Sequence, residues 1–359
     1  MNERKYYLDN IRWMTVVLVI IYHIIYLFNS SGVISNINVK GIPEADAFLV
    51  FVYPWFMCLL FVVAGISSKY SLEKRSNKEY IKDRAKRILL PTIVGIFAYG
   101  WIAGMITNYY NDIFVGNGNA IPGFVKYIVY SLIGVGPLWF GHVLFIAALV
   151  LVLIRKIDRK DKIGNCAKKI KPIMLVVFTL LVWGSANILN TPLVEIYRFG
   201  IYIFMFLLGY YIFSNEELIE KLSKYSMPLI IVSILCGIAY TIKYYGKNYA
   251  EMSVLKNIFT NIYLWVMIIA ILGFSKKYLN FSNNFTNYMT KNNFAFYVLH
   301  YSVVVVLGFV VVNYLNLPFI LNYILILIGT IVILPLLTKV ISSIPVINTV
   351  ILGVKKKEN

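Results

Sequence analysis

The sequence predicts an all-α, polytopic membrane protein with about ten transmembrane helices and both termini in the cytoplasm. Hydrophobic residues make up 60% of the 359 positions, and the mean hydropathy is +0.74. The apolar residues fall in runs long enough to cross a hydrocarbon layer of about 30 Å, and the polar segments between them are short. We therefore expect one membrane domain over residues 1–359, with no separate soluble domain.

Ten apolar segments account for the predicted helices. The first follows Arg4 and Lys5, but its length and the lack of a small-residue cleavage site favour a retained helix over a signal peptide. The predicted spans are 11–28, 48–66, 88–107, 137–154, 172–190, 197–213, 227–245, 257–274, 294–314 and 319–341.

Basic residues concentrate in the segments that ten helices would place in the cytoplasm. With the N-terminus inside, only six of the 34 Lys and Arg residues fall elsewhere. These six are Lys40, Lys126, Arg198, Lys243, Lys247 and Lys256. The asymmetry follows the positive-inside rule. The formal net charge of +18 therefore indicates membrane topology rather than nucleic-acid binding.

The first predicted helix carries the sharpest functional pattern, Arg12 and His23 separated by ten residues. Eleven steps of about 100° place both side chains on one helical face, about 16 Å apart along the axis. Arg12 would lie at the inner surface and His23 near mid-membrane, with Tyr26 near the same stripe and Asp9 one turn before Arg12. A neutral imidazole at that depth can accept a proton. The alternative is a His that only packs against a neighbouring helix.

A second basic motif, Arg84-x-x-Arg87, precedes the third predicted span. Residues three apart share a face of an α-helix, so these two guanidinium groups could hold a phosphate or pyrophosphate together. The alternative is positive-inside charge that contacts anionic lipid.

Two further histidines lie in predicted spans. His142 follows Trp139 near the outer end of the fourth span, and His300 lies about two turns into the ninth span from the inner side. Each is more often structural than catalytic in such a position. A metal site would require all three histidines to converge from different depths, and the three cysteines lack metal-ligand spacing, so we expect no metal.

Taken together, these motifs resemble the integral-membrane acyltransferases of family three, whose members O-acylate polysaccharides, periplasmic glucans, peptidoglycan and macrolides. The resemblance runs over nearly the whole chain. Within the family, this sequence is most similar to the glucan-succinylating subgroup. The residues that carry it are Tyr7-Leu8-Asp9-Asn10-Ile11-Arg12 leading to His23, Phe61-Val62-Val63-Ala64-Gly65, Arg84-x-x-Arg87 ahead of Ile88-Leu89-Leu90-Pro91, Leu138-Trp139-Phe140, and Phe296-Tyr297-Val298-Leu299-His300.

The resemblance implies a bacterial cell-membrane enzyme that takes an acyl group from cytoplasmic acyl-CoA, most often acetyl-CoA. The acceptor would be a hydroxyl of an extracytoplasmic glycan or a related molecule. By the same resemblance, the catalytic residues would be His23, Arg12 and Asp9, and the CoA-binding residues would be Arg84 and Arg87. The accessory candidates are His300, His142, Trp139 and Tyr26.

The chain departs from the family pattern in two respects. Many relatives have Phe-Phe-x-x-Ser-Gly where this chain has Phe61-Val62-Val63-Ala64-Gly65, so any role of that Ser hydroxyl is absent here. Many O-antigen acetylating relatives carry an extra soluble domain that completes the transfer. This chain is expected to transfer alone or with a separate partner, and its acyl group could be acetyl or succinyl.

A carrier or flippase for a lipid-linked glycan is the alternative function. Many transporters are built from two related halves with paired broken helices, and no such internal repeat is visible in this sequence. A transporter would also have no use for a phosphate site on an inner loop beside a mid-membrane base. The expected function is therefore O-acyl transfer.

Overall fold

The computed structural model describes residues 4–191 and 197–354. Helices dominate these residues, and the one β feature within them is an isolated bridge between Asn190 and Arg198. The predicted all-α class is confirmed. The principal helices are α1 (Tyr6–Tyr26), α2 (Pro43–Leu72), α3 (Asn77–Asn111), α4 (Gly123–Ile133), α5 (Gly136–Ile157), α6 (Pro172–Ala186), α7 (Phe199–Tyr211), α8 (Glu216–Lys224), α9 (Ser226–Tyr244), α10 (Ile258–Tyr278), α11 (Asn284–Leu315), α12 (Phe319–Ser343) and α13 (Pro345–Leu352).

Eight of the helices in the described ranges are long and apolar enough to cross a membrane. They are α1, α2, α3, α5, α9, α10, α11 and α12. The pair α7 and α8 would make nine if it counts as one span, although its two halves are bent by 98°. A span needs roughly 20 apolar residues, which these helices supply, so the chain is a polytopic membrane protein.

The structure differs from the ten predicted spans at the fifth and the sixth. The fifth coincides with α6, which is one of the shorter apolar helices. The sixth coincides with α7, which stops at Tyr211 before the bend into α8. Asn215 caps α8 by accepting a hydrogen bond from Glu217 N at 3.1 Å, which starts a new helix in a new direction. Apolar composition predicts that a segment avoids water, but it does not predict whether the helix continues straight across the membrane.

The described chain groups into two compact units, each assembled from separate stretches of sequence. The first unit contains Met1–Thr15, Val50–Asp83 and Val143–Lys291. The second unit contains Val16–Leu49, Arg84–His142 and Asn292–Asn359. Neither unit is continuous in sequence, and the single domain expected from the sequence stays a prediction.

Two glycines bring α2 and α7 into close contact within the first unit. A Cβ on Gly65 would lie 2.0 Å from the carbonyl oxygen of Phe206, and one on Gly209 would lie 2.1 Å from that of Val62. Small residues permit such backbone approach in membrane helices, where packing rather than hydrophobic burial favours helix association.

Replacing Gly209 with Ala is expected to destabilise the protein, because the new methyl group meets a backbone carbonyl that cannot rotate away. Overpacking of this kind costs about 1–3 kcal/mol. Gly184→Ala in α6 is the matched control, since a Cβ there meets nothing within 4 Å. Thermal unfolding of the purified variants in detergent measures the difference. Equal melting temperatures for the two variants would contradict the packing described for Gly209.

Candidate active site

Helix α1 is unbroken from Tyr6 to Tyr26 and carries Asp9, Arg12 and His23. The predicted helical register between Arg12 and His23 is therefore confirmed. Arg12 belongs to the first compact unit and His23 to the second, and each has its own set of partners.

His23 and His300 form a contact pair within the second unit. The Nε2 atom of His300 lies 3.2 Å from the Nδ1 atom of His23, and the ring centroids are 5.1 Å apart. His300 is fully buried, whereas His23 is half-buried. The sequence analysis includes both residues among the candidates, with His300 only as an accessory one. It does not predict the contact between them.

The backbone partners of the two rings assign their tautomers. His300 Nδ1 lies 2.7 Å from the carbonyl oxygen of Tyr297, and His23 Nδ1 lies 2.8 Å from that of Val19. A carbonyl oxygen only accepts hydrogen bonds, so each Nδ1 carries the proton in the neutral rings. His300 Nε2 is then an acceptor for the His23 Nδ1–H group. The remaining lone pair of His23 is on Nε2, which is the atom that can take a proton.

Aromatic side chains surround His23. The ring of Tyr301 lies 4.9 Å from that of His23 in an edge-on arrangement, and the ring of Tyr26 lies at 6.0 Å. The hydroxyl of Tyr301 donates a hydrogen bond to Asn36, whose own amide donates to Thr107 Oγ1 at 2.6 Å. This network fixes Tyr301 beside the imidazole.

Tyr26 and Trp139 have supporting positions. The Tyr26 hydroxyl donates to the carbonyl oxygen of Ile34, which ties the loop after α1 back to the helix. Trp139 is buried beside Phe140, and the ring of Phe140 lies 5.5 Å from that of Tyr297, whose carbonyl oxygen accepts the hydrogen bond from His300 Nδ1. These contacts are consistent with residues that position the histidine pair.

His142 is not part of the pair. It is half-buried near the start of α5, whereas the close contact between ring nitrogens joins His300 to His23. Within the same residues, no group of three or more His, Cys, Asp or Glu side chains converges as a metal site.

Arg12 and Asp9 form an ion pair in the first unit. Arg12 Nη1 lies 2.9 Å from Asp9 Oδ1, as the spacing on α1 predicted. Arg4 Nε contacts the other oxygen of Asp9 at 2.9 Å, and Arg12 Nη2 donates to Ser67 Oγ. The guanidinium of Arg12 is thus held in a fixed direction while about a third of its side chain stays exposed (31%).

Arg84 and Arg87 lie on an irregular part of α3, in the second unit. The α-helical segment ends at Arg84, and a π-helical turn runs from Ala85 to Leu89. The spacing prediction assumed a regular α-helix, whereas a π-turn contains more residues per turn, so the angle of about 100° per residue does not apply here. Arg84 is half-buried and Arg87 is exposed. The prediction that the two guanidinium groups share one face and hold a phosphate together stays a prediction, although the helix that carries them is not a regular α-helix.

Sequence patterns contain no direct signal for the histidine pair or for the Asn36–Tyr301 hydrogen bond. A His in each of two apolar spans was the available hint, because ionisable groups within membrane helices usually face one another or a polar cavity. Asn36 lies in the loop after α1, where the sequence pattern attached no function to it.

Comparisons with known proteins agree on one family. A family model described as an acyltransferase domain matches residues 5–339. Glucans biosynthesis protein C of Escherichia coli strain SMS-3-5 is 24% identical over 329 residues, which cover 85% of this chain and 83% of the relative. The protein of the same name from Shigella boydii serotype 4 is 23% identical over the same shares. No solved structure gave a significant match to the chain.

Proposed function

The chain belongs to the family of membrane acyltransferases whose model matches residues 5–339, and on that premise we propose that it is an O-acyltransferase with a glycan acceptor. The donor would be cytoplasmic acyl-CoA, most simply acetyl-CoA, with succinyl-CoA as the alternative. The acceptor would be a hydroxyl group of a glucan or related glycan on the outer side. The printed name of the relatives, glucans biosynthesis protein C, supports a glucan.

The membrane orientation is part of the same proposal. Both termini would be cytoplasmic, in a bacterial cell membrane, because basic residues concentrate in the inner segments. Acyl-CoA would then arrive from the inner side and the glycan from the outer side.

The observation that carries the proposed chemistry is the His23–His300 pair. The single Nδ1–H of His23 is shared between Val19 O at 2.8 Å and His300 Nε2 at 3.2 Å, so His23 Nε2 is the available base. An acceptor O–H would give its proton to this nitrogen while its oxygen attacks the thioester carbonyl carbon. The C–S bond then breaks, and the CoA sulfur leaves as a thiol by taking the proton back from His23. General-base help of this kind is worth about 10²–10⁴ in rate.

The two arginine sites would serve the donor. Arg84 and Arg87 lie in the same compact unit as the histidine pair, and guanidinium groups suit the phosphates of CoA. Arg12, held by Asp9 and Ser67, would orient α1 or contact the donor from the inner surface.

A reconstituted transfer assay tests the function. The full chain in proteoliposomes, with acyl-CoA labelled in the acyl group supplied on one side and glucan on the other, is expected to yield labelled glucan. Passage of unmodified lipid-linked glycan across the bilayer, without acyl transfer, would instead favour the flippase function.

His300→Leu is expected to lower kcat by roughly 10–150-fold and to leave the KM for acyl-CoA unchanged. The reason is the loss of one charge-assisted hydrogen bond to the protonated His23, worth about 1.5–3 kcal/mol. His300→Gln is the matched variant, because a Gln amide oxygen can still accept the Nδ1–H bond and should restore most of the rate. If Leu and Gln lowered kcat equally, His300 would only pack against His23.

A further inference from the structure

Arg198 is a buried cation that the proposed mechanism does not use. It is one of the six basic residues outside the predicted inner segments, and only 4% of it is exposed. It belongs to the first compact unit and directly precedes α7.

The described surroundings of Arg198 do not neutralise its charge. Nη2 donates one long hydrogen bond, 3.3 Å, to the carbonyl oxygen of Leu255, and Nε has no hydrogen-bond partner. No Asp or Glu within residues 4–191 and 197–354 forms an ion pair with it. Arg198 also has a side-chain hydrogen bond with Tyr202 and electrostatic interactions with Tyr240 and Cys58, but none of these groups is a carboxylate. A buried charge without a countercharge is strongly unfavourable, so this arrangement calls for an anion.

Helix α7 adds to the positive potential at this point. Arg198 is the N-cap residue of this 13-residue helix, and its side chain makes no capping hydrogen bond. The N-terminal end of a helix carries a partial positive charge and exposes backbone N–H groups. A cation at that end is electrostatically unfavourable, whereas an anion would be stabilised by both.

Other polar atoms nearby lack partners. Asn261 donates to the same Leu255 carbonyl oxygen at 3.1 Å, and its buried Oδ1 has no hydrogen bond. Asn190, which is joined to Arg198 by the β-bridge, also has a buried Oδ1 without a partner. Water could satisfy these acceptors, but water carries no charge and leaves the guanidinium uncompensated.

We propose that Arg198 and the N-terminus of α7 form a binding site for an oxyanion, either a carboxylate or a phosphate monoester. The planar guanidinium matches both groups in geometry, and it can donate to two of their oxygens at once. The site lies within the first unit and does not depend on the proposed transfer reaction.

Thermal unfolding of the full chain in lipid nanodiscs tests the site. Sodium succinate, sodium phosphate and sodium chloride are compared at matched ionic strength. The wild-type melting temperature should rise with the concentration of at least one oxyanion and stay flat in chloride, because a ligand of the native state stabilises it by mass action. A response to succinate alone identifies a carboxylate source, and a response to phosphate alone identifies a phosphate source.

Arg198→Met should abolish the oxyanion response and, without oxyanion, melt at or above the wild-type temperature, because an apolar side chain removes the uncompensated charge. Lys256→Met is the matched control: it removes a partly exposed outer cation and should keep the full response. A wild-type protein that responds to neither oxyanion overturns the proposal, as does a response that survives in Arg198→Met. Glu195 lies three positions before Arg198 in the sequence and outside the described residues. A response that appears only in Glu195→Gln would also overturn the proposal, because the Glu195 carboxylate would then already compensate Arg198.

Discussion

Replacing His23 with Gln is expected to slow acyl transfer by roughly 10²–10⁴-fold while the protein stays folded and binds acyl-CoA. Gln can still donate a hydrogen bond toward Val19 O or His300 Nε2, the two partners of His23 Nδ1. It cannot accept and release a proton as His23 Nε2 would. The loss should therefore fall on kcat and leave the KM for acyl-CoA nearly unchanged, which steady-state kinetics in proteoliposomes would measure.

His142→Gln is the control for this experiment. It makes the same substitution at a half-buried membrane histidine to which the proposed mechanism gives no proton-transfer role. Its effect on kcat should be much smaller than that of His23→Gln. Near-normal transfer by His23→Gln would make His23 a packing residue and leave His300 as the next candidate for the base.

Replacing Arg84 or Arg87 with Ala is expected to weaken CoA binding by about 1.5–3 kcal/mol each, the value of a hydrogen bond to a charged group. Arg84 is half-buried, so its replacement should cost binding free energy near the upper end of this range. Arg87 is exposed and better screened by solvent, so its replacement should cost less. Lys at either position should rescue only in part, because it lacks the planar fork of Arg. Calorimetric titration of the purified chain with CoA measures each affinity.

Lys86→Ala separates specific phosphate binding from general positive charge. Lys86 is exposed and lies between the two arginines, so it carries the same charge in the same segment. It should have a clearly smaller effect than Arg84→Ala. Equal losses at all three positions, or unchanged affinity in the double Ala variant, would assign the segment to membrane orientation or anionic lipid.

Much of the local structure could be predicted from the sequence, because it depends on periodicity within one helix. The unbroken helix from Tyr6 to Tyr26 and the Asp9–Arg12 ion pair follow from spacing along α1. Hydropathy also located the apolar segments, although Asn77–Asn111 and Asn284–Leu315 begin well before the predicted spans 88–107 and 294–314.

Contacts between distant segments could not be predicted in this way. His23 and His300 are separated by 277 positions, and only tertiary packing decides that their rings meet. The sequence analysis did not predict the helix from Gly123 to Ile133, because its 11 residues, although mostly apolar, are too few to cross a bilayer. The bend between α7 and α8 depends on the Asn215 cap, a single local hydrogen bond that hydropathy does not register.

The π-helical turn from Ala85 to Leu89 has a consequence for how this motif is compared between proteins. A π-turn is in effect an α-helix with one inserted residue. Two homologues can therefore align without a gap across Arg-x-x-Arg and still present the two guanidinium groups in different directions, depending on which of them contains the extra residue. A homologue with arginines aligned to Arg84 and Arg87 therefore has the same two charges, but the two side chains need not have the same relative orientation. A one-residue gap just beside the motif in an alignment carries more structural information than the motif itself.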